Sequence, residues 1–385
     1  MITEVISQKT ERLVPVDSLR GLLMVLMAVD HANYFVARAH PTGEFWGIPL
    51  PHYDTFLAFF TRLVTQPCAP GFFFLMGVSM IYFAQSRLRN GWSEKKIHRH
   101  LIIRGVLIVC LQFFLENTAW VLGPASAFKP PGGGGQVWFH FGVLFGLGAT
   151  MIVGALLMRL SSSLLLILSA GLALVTQFLT PDASLAGKLF SPFLRIVFIP
   201  GKTGSLQVFY PVVPWLSFVL FGLVFGRWFL RDKSAAYRKA LLFGLSFLFL
   251  FLPLRWIGRW ANLHKLESLS LVDYLNVTKY PPSITFSLLT LGVVFLFLFL
   301  FSKTESRFGD RRHPLQIFGT SALFFYIAHL YVFAFLGFFF AARGGGGLGV
   351  MYAVWLLGLA FLYPLCLWYG RFKKRTSLDS IWRFF

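Results

Sequence analysis

Charge is scarce in this sequence. Only 13% of its 385 residues are Asp, Glu, Lys or Arg, where a water-soluble domain carries roughly 25%. Water is therefore not the solvent of most of the folded surface. Acid is scarcer still: 15 Asp and Glu stand against 35 Lys and Arg, a net charge of +20. The bases are spread between apolar runs rather than gathered on one polar domain, which argues against nucleic-acid binding. Cysteine is nearly absent. Cys68, Cys110 and Cys366 are odd in number and lack metal-ligand spacing, so neither a disulfide framework nor a metal site is expected. No internal repeat is visible, which weakens an inverted-repeat transporter reading. The first twelve residues are polar, and no small-residue cleavage site follows the first apolar run. That run reads as a retained span, not a signal peptide.

What the sequence does have is apolar surface. Hydrophobic residues make up 56% of it, with 46 Phe alone. Apolar runs lie near 14–36, 69–86, 101–122, 137–159, 162–180, 211–230, 239–260, 284–302, 314–340 and 349–370. Each is long enough to cross a hydrocarbon core of about 30 Å at about 1.5 Å per residue. The second run reads as starting as early as Phe56, with a break at Cys68-Ala69-Pro70-Gly71. The predicted fold is an all-α polytopic transmembrane bundle of about ten spans, one domain over 1–385. With the N-terminus inside, the inner segments hold 23 Lys and Arg and the outer ones 11, Arg20 lying within the first span. This bias predicts that both termini are cytoplasmic. The glycine tracts 132–135 and 344–347 fall in outer loops and read as flexible connections.

An ionisable group inside a bilayer costs several kcal/mol by insertion scales, so such residues point to function. Arg20, Asp30, His31, Glu116, His140 and His329 are the candidates. Helical rise from the inner span ends places His31, Glu116 and His329 about 18–22 Å outward. Asp30, Asn117 and His140 fall near the same depth, so the six form a candidate layer in the outer half of the membrane. A carboxylate in that layer is expected to orient His31 and raise its basicity, the arrangement a general base needs. The plainer alternative is a polar network that only fixes helix packing. Arg20 and Arg104 near the inner side either snorkel to headgroups or bind a phosphorylated ligand. On the outer side Trp46, Trp120, Trp138 and Trp215 anchor span ends or bound a sugar-sized cleft.

Several segments carry a resemblance in the right order: VDSLRG at 16–21, VDHAN at 29–33, FFTRLVTQPCAPGFFFLMG at 59–77, FGVLFGLGA at 141–149, YPVVPWLSFVLFGLVFG at 210–226, KYPPSITFSLLTLG at 279–292 and FGTSALFFYIAHLYV at 318–332. Together they resemble the bacterial relatives of heparan-alpha-glucosaminide N-acetyltransferase. The resemblance implies a transmembrane acyltransferase of the bacterial inner membrane. It would use cytoplasmic acetyl-CoA as acyl donor and a sugar or glycan amine or hydroxyl as acceptor at the far side. It also implies a lipid-embedded chain, often dimeric. In the wider group of such enzymes a D-x-L-R-G/A motif precedes a catalytic histidine, which matches Asp17, Leu19, Arg20, Gly21 and His31. The arginine would then belong to the donor end. In the heparan-type enzymes the active histidine follows the first span, near His40 here, with Asp30 near a preceding Asn. His31 and His40 thus compete as base, and His31, held on a helix, is favoured. Asn117 is a candidate oxyanion donor. The alternative class is a proton-coupled secondary transporter or lipid-linked sugar carrier.

Overall fold

The computed structural model describes residues 13–38, 43–122, 139–185, 190–305, 313–340 and 346–377, together with 380 and 382. The apolar runs fold as helices because a backbone in hydrocarbon must satisfy its own hydrogen bonds within the segment. The principal helices are α1 (Val14–Ala32), α2 (Phe56–Leu63), α3 (Cys68–Arg89), α4 (Glu94–Leu111), α5 (Asn117–Val121), α6 (Val143–Leu157) and α7 (Ser162–Leu179). After a short α8 (Pro192–Val197) come α9 (Val212–Arg231) and α10 (Lys233–Trp256). Two short helices, α11 (Arg259–Asn262) and α12 (Leu271–Leu275), lead to α13 (Ile284–Lys303), α14 (Pro314–Thr320), α15 (Ala322–Phe340) and α16 (Gly347–Arg375). Among the described residues nine helical segments are long and apolar enough to span a membrane, and Val143–Leu157 is a shorter apolar helix. That agrees with the expected polytopic bundle of about ten spans.

The outer faces of these helices confirm their solvent. Along α10, Leu242, Leu245, Phe249, Leu252 and Trp256 are all exposed. A soluble monomer rarely leaves such a continuous apolar stripe in water.

Some boundaries differ from the expectation. The break in the second run falls at 64–67, where Pro67 precedes the first residue of α3, rather than at 68–71. Prolines suit the first helical turn, and Pro70 sits within it without interrupting α3. The run 314–340 is divided at Ser321 into α14 and α15. Residues 139–141, read as the start of a helix, form strand β1 (Phe139–Phe141). It runs parallel to β3 (Leu206–Val208), which also pairs antiparallel with β2 (Gly201–Thr203). Among the described residues two π-helical turns appear, Asn33–Ala37 after α1 and Gln112–Glu116 between α4 and α5. Such turns concentrate at functional sites.

The bundle is held by close helix pairs: α3 on α9, α10 on α13, α4 on α6 and α1 on α14. Without a hydrophobic drive between helices in lipid, small residues let backbones approach. A Cβ on Gly222 in α9 would lie 2.0 Å from the Phe74 carbonyl oxygen of α3. Gly222→Ala must therefore push two backbones apart. We expect a loss of roughly 1–3 kcal/mol from overpacking, read as a lower melting temperature of the detergent-solubilised protein. At the contact of α1 with α14, a Cβ on Gly319 would lie 2.0 Å from the Asp17 carbonyl oxygen. That approach carries Arg20 to the Gly319 carbonyl, at 3.1 Å.

Candidate active site

His31 lies on the last turn of α1 and His329 in the middle of α15. The α1–α15 packing brings their rings to a centroid separation of 4.8 Å, with His31 Nδ1 2.5 Å from His329 Nε2. His329 Nδ1 is 3.0 Å from the Phe325 carbonyl oxygen, one turn back on its own helix. A carbonyl only accepts, so His329 Nδ1 carries the proton there. Its Nε2 is then the lone-pair nitrogen and receives the His31 Nδ1 proton. The network thus leaves Nε2 as the basic nitrogen of His31, the protonation state a general base needs.

The partner seen on His31 Nδ1 is thus a second histidine, where a carboxylate was expected to orient the ring. Asp30 instead turns to α2, where Arg62 Nη1 donates to both its oxygens at 2.7 and 2.6 Å. Arg62 also grips Glu44, with Nε at 2.7 Å from Oε1 and Nη2 on Oε2. Gln66 Nε2 donates to Glu44 at 2.5 Å. Arg62 and Glu44 are almost wholly buried, 3% and 0% exposed. Lys279, in the loop before α13, is buried at the edge of this cluster. Burial, together with Arg62, pushes its ammonium down to about 8 against the pull of Glu44 and Asp30.

Trp120 of α5 stands edge-on to His31, centroids 5.2 Å apart. Its Nε1 donates to Glu116 Oε1 at 3.4 Å. Tyr326, one turn before His329, presents its ring edge-on to His329 at 5.4 Å and to His31 at 6.3 Å. Its hydroxyl lies beside the Glu116 carboxyl. Histidines, glutamate, tyrosine and tryptophan therefore converge, as the depth argument anticipates for three of them.

Asn117 and His140 do other work. The Asn117 amide donates to the His140 carbonyl at 3.2 Å and accepts from Gln112 Nε2 at 2.9 Å. The His140 ring packs on Phe209 at 5.1 Å, and burial pushes its imidazole down to about 4. These two residues tie β1 to the α4–α5 turn behind the histidine pair. His40 falls in 39–42, outside the described residues, as does Trp138. The remaining tryptophans do not frame one cleft. Trp120 packs on the histidine, Trp215 is buried against Phe73 and Tyr210, and Trp46 donates to the Pro200 carbonyl.

A cavity of about 270 Å³ begins at the basic end of the bundle, between Arg20, Arg104 and Lys373. Its walls are apolar, chiefly Met76, Met80 and Leu147, and it ends among Phe72, Ile108, Leu144 and Tyr326. From Phe83 to Phe72 on α3 it runs about 16 Å at helical rise. Arg20 is held by Asp17 at 2.8 Å and by Ser79 Oγ at 2.8 Å. Arg104 makes no hydrogen bond or ion pair within the described residues. A guanidinium at a cavity mouth without a protein partner suits a phosphate. Tyr326 divides this cavity from the histidine pair. Sequence reading missed Tyr326, although its i, i+3 spacing to His329 puts both on one helix face.

The family model described as heparan-alpha-glucosaminide N-acetyltransferase, catalytic, matches residues 12–264, well over half of the chain. The chain belongs to this family. Heparan-alpha-glucosaminide N-acetyltransferase of Mus musculus is 30% identical over 115 residues. That alignment covers 30% of this chain and 15% of the mouse protein's length. The matched region holds Arg20, His31, Arg62, Arg104, Glu116 and Trp120, and ends before the half of the site on α15. Family and apolar helices together make this an integral multi-pass membrane protein.

Proposed function

We propose that this protein moves an acetyl group from acetyl-CoA on one side of a bacterial inner membrane to a sugar amine or hydroxyl reaching it from the other. The single observation that carries the reading is the cavity that joins a cationic mouth to the wall of the His31–His329 pair. The basic end is the cytoplasmic one under the positive-inside bias. Arg20, Arg104 and Lys373 would hold the phosphates of the donor. The methionine-lined wall, apolar and adaptable, would take its pantetheine arm and aim the thioester toward Tyr326.

His31 then takes the proton of the acceptor N–H or O–H through Nε2, and His329 supports the imidazolium that forms. The acceptor heteroatom attacks the thioester carbon, the C–S bond breaks, and the proton ends on the coenzyme A thiol. The new bond is an amide or an ester according to the acceptor. Asp30 anchors the end of α1, so its contribution is to the position of its neighbour His31.

The first test is binding. Purified protein should bind coenzyme A by titration calorimetry, and Arg104→Ala should weaken it by roughly tenfold, as loss of about 1.4 kcal/mol of charge-assisted contact implies. Absence of coenzyme A binding in the wild type would favour a carrier, which has no use for it.

A further inference from the structure

The donor cavity presents one question that the histidine pair does not answer: what polarises the thioester carbonyl. Its polar groups are unevenly placed. Arg20, Arg104 and Lys373 cluster at the mouth. The Ser79 hydroxyl donates to the Leu75 carbonyl at 2.7 Å, and Thr320 donates to the Gln316 carbonyl at 2.7 Å. At the deep end the lining is Phe72, Ile108, Leu144 and Met24, and the polar side chain among them is Tyr326. The expected oxyanion donor, Asn117, has its amide committed to the His140 carbonyl and to Gln112.

We propose that Tyr326 is a further catalytic residue, its phenol donating a hydrogen bond to the thioester carbonyl oxygen as negative charge gathers there. The assignment rests on the acyltransferase reading above and deepens it. Three features of position support it. Tyr326 lines the cavity on one side and meets both imidazoles on the other. It shares α15 with His329 at i, i+3, so donor and base-supporting groups are fixed by the same rigid helix. The Glu116 carboxyl, itself set by Trp120 Nε1, is the hydrogen-bond partner of the hydroxyl; as a neutral acid it donates to the phenol oxygen, which leaves the single phenol proton for the carbonyl.

The step balances without another reactant. The acceptor's N–H or O–H proton passes to His31 as the acceptor–carbon bond forms, and the carbonyl oxygen takes the electron pair under the Tyr326 O–H. Collapse of that intermediate breaks the C–S bond, and the thiolate receives the proton held by His31. Tyr326 gives up no proton in the net reaction.

The test compares Tyr326→Phe with wild type, using labelled acetyl-CoA and glucosamine as an acceptor that offers both an amine and hydroxyls. One preorganised oxyanion donor is worth about 10²–10³ in turnover. We expect kcat to fall by about that factor, with the KM for acetyl-CoA, the coenzyme A affinity and the melting temperature nearly unchanged. Wild-type kcat in Tyr326→Phe would overturn the assignment, and so would a loss confined to KM or to stability. Tyr326→Leu provides the second arm: it removes ring and hydroxyl together and should be no less impaired than Tyr326→Phe. If wild type releases no coenzyme A thiol at all, the acyltransferase reading itself fails. Thiol release that Tyr326→Phe leaves intact sinks only the tyrosine.

Discussion

Replacing His31 by Ala should lower acetyl transfer by roughly 10²–10⁴-fold, the usual contribution of a positioned general base. Coenzyme A binding should survive, because the cavity mouth at Arg20 and Arg104 lies about 16 Å away along α1 at helical rise. His329 provides the sharper diagnosis. Its Nε2 accepts from His31 Nδ1, so its loss lets the His31 proton migrate to the wrong nitrogen. His329→Leu should therefore approach the His31→Ala rate. His329→Gln, whose amide oxygen can accept the same proton, should recover part of it. Labelled acetyl transfer by the purified variants reads all three. Full activity in His31→Ala combined with its loss in His40→Ala would move the base to the loop after the first span. Equal loss in His329→Leu and His329→Gln would show that His329 acts through packing instead.

Much of this arrangement was legible before any coordinate. The spans follow from run length, because an apolar segment has one stable way to cross hydrocarbon. The depths of His31, Glu116 and His329 follow from counting residues outward at constant rise. What counting cannot supply is rotation. Asp30 and His31 are adjacent in sequence but about 100° apart around the helix, and that angle sends one to Arg62 and the other to His329. Helical rise also fails where the backbone leaves the α-helix. The π turn at 112–116 resets the angular position of Glu116 and the residues after it, and places Trp120 rather than Asn117 against His31. Tyr326 was hidden for a different reason. An aromatic residue in a run such as FFYIAHLYV is ordinarily membrane core or belt, and only the cavity distinguishes it.

The pairing of Asp30 with Arg62 leads to the largest effect on stability. Arg62 joins two carboxylates from different segments, Asp30 at the end of α1 and Glu44 in the chain leading to α2. Arg62→Met keeps much of the side-chain volume but leaves a buried carboxylate cluster without its bridging guanidinium. Removing one partner of a buried ion pair typically costs about 3–5 kcal/mol, far more than the pair itself contributes. Thermal melting in detergent should show that loss, and the fraction of monodisperse protein on size exclusion should fall with it. Arg62→Lys should recover only part, since an ammonium cannot present the planar fork that spans both acids. Glu44→Gln combined with Arg62→Met removes one of the two stranded charges, so the double variant should be more stable than Arg62→Met alone. An unchanged melting curve in Arg62→Met would mean that α1 holds its end, and His31 with it, by packing on α14 and α15 and not by this cluster.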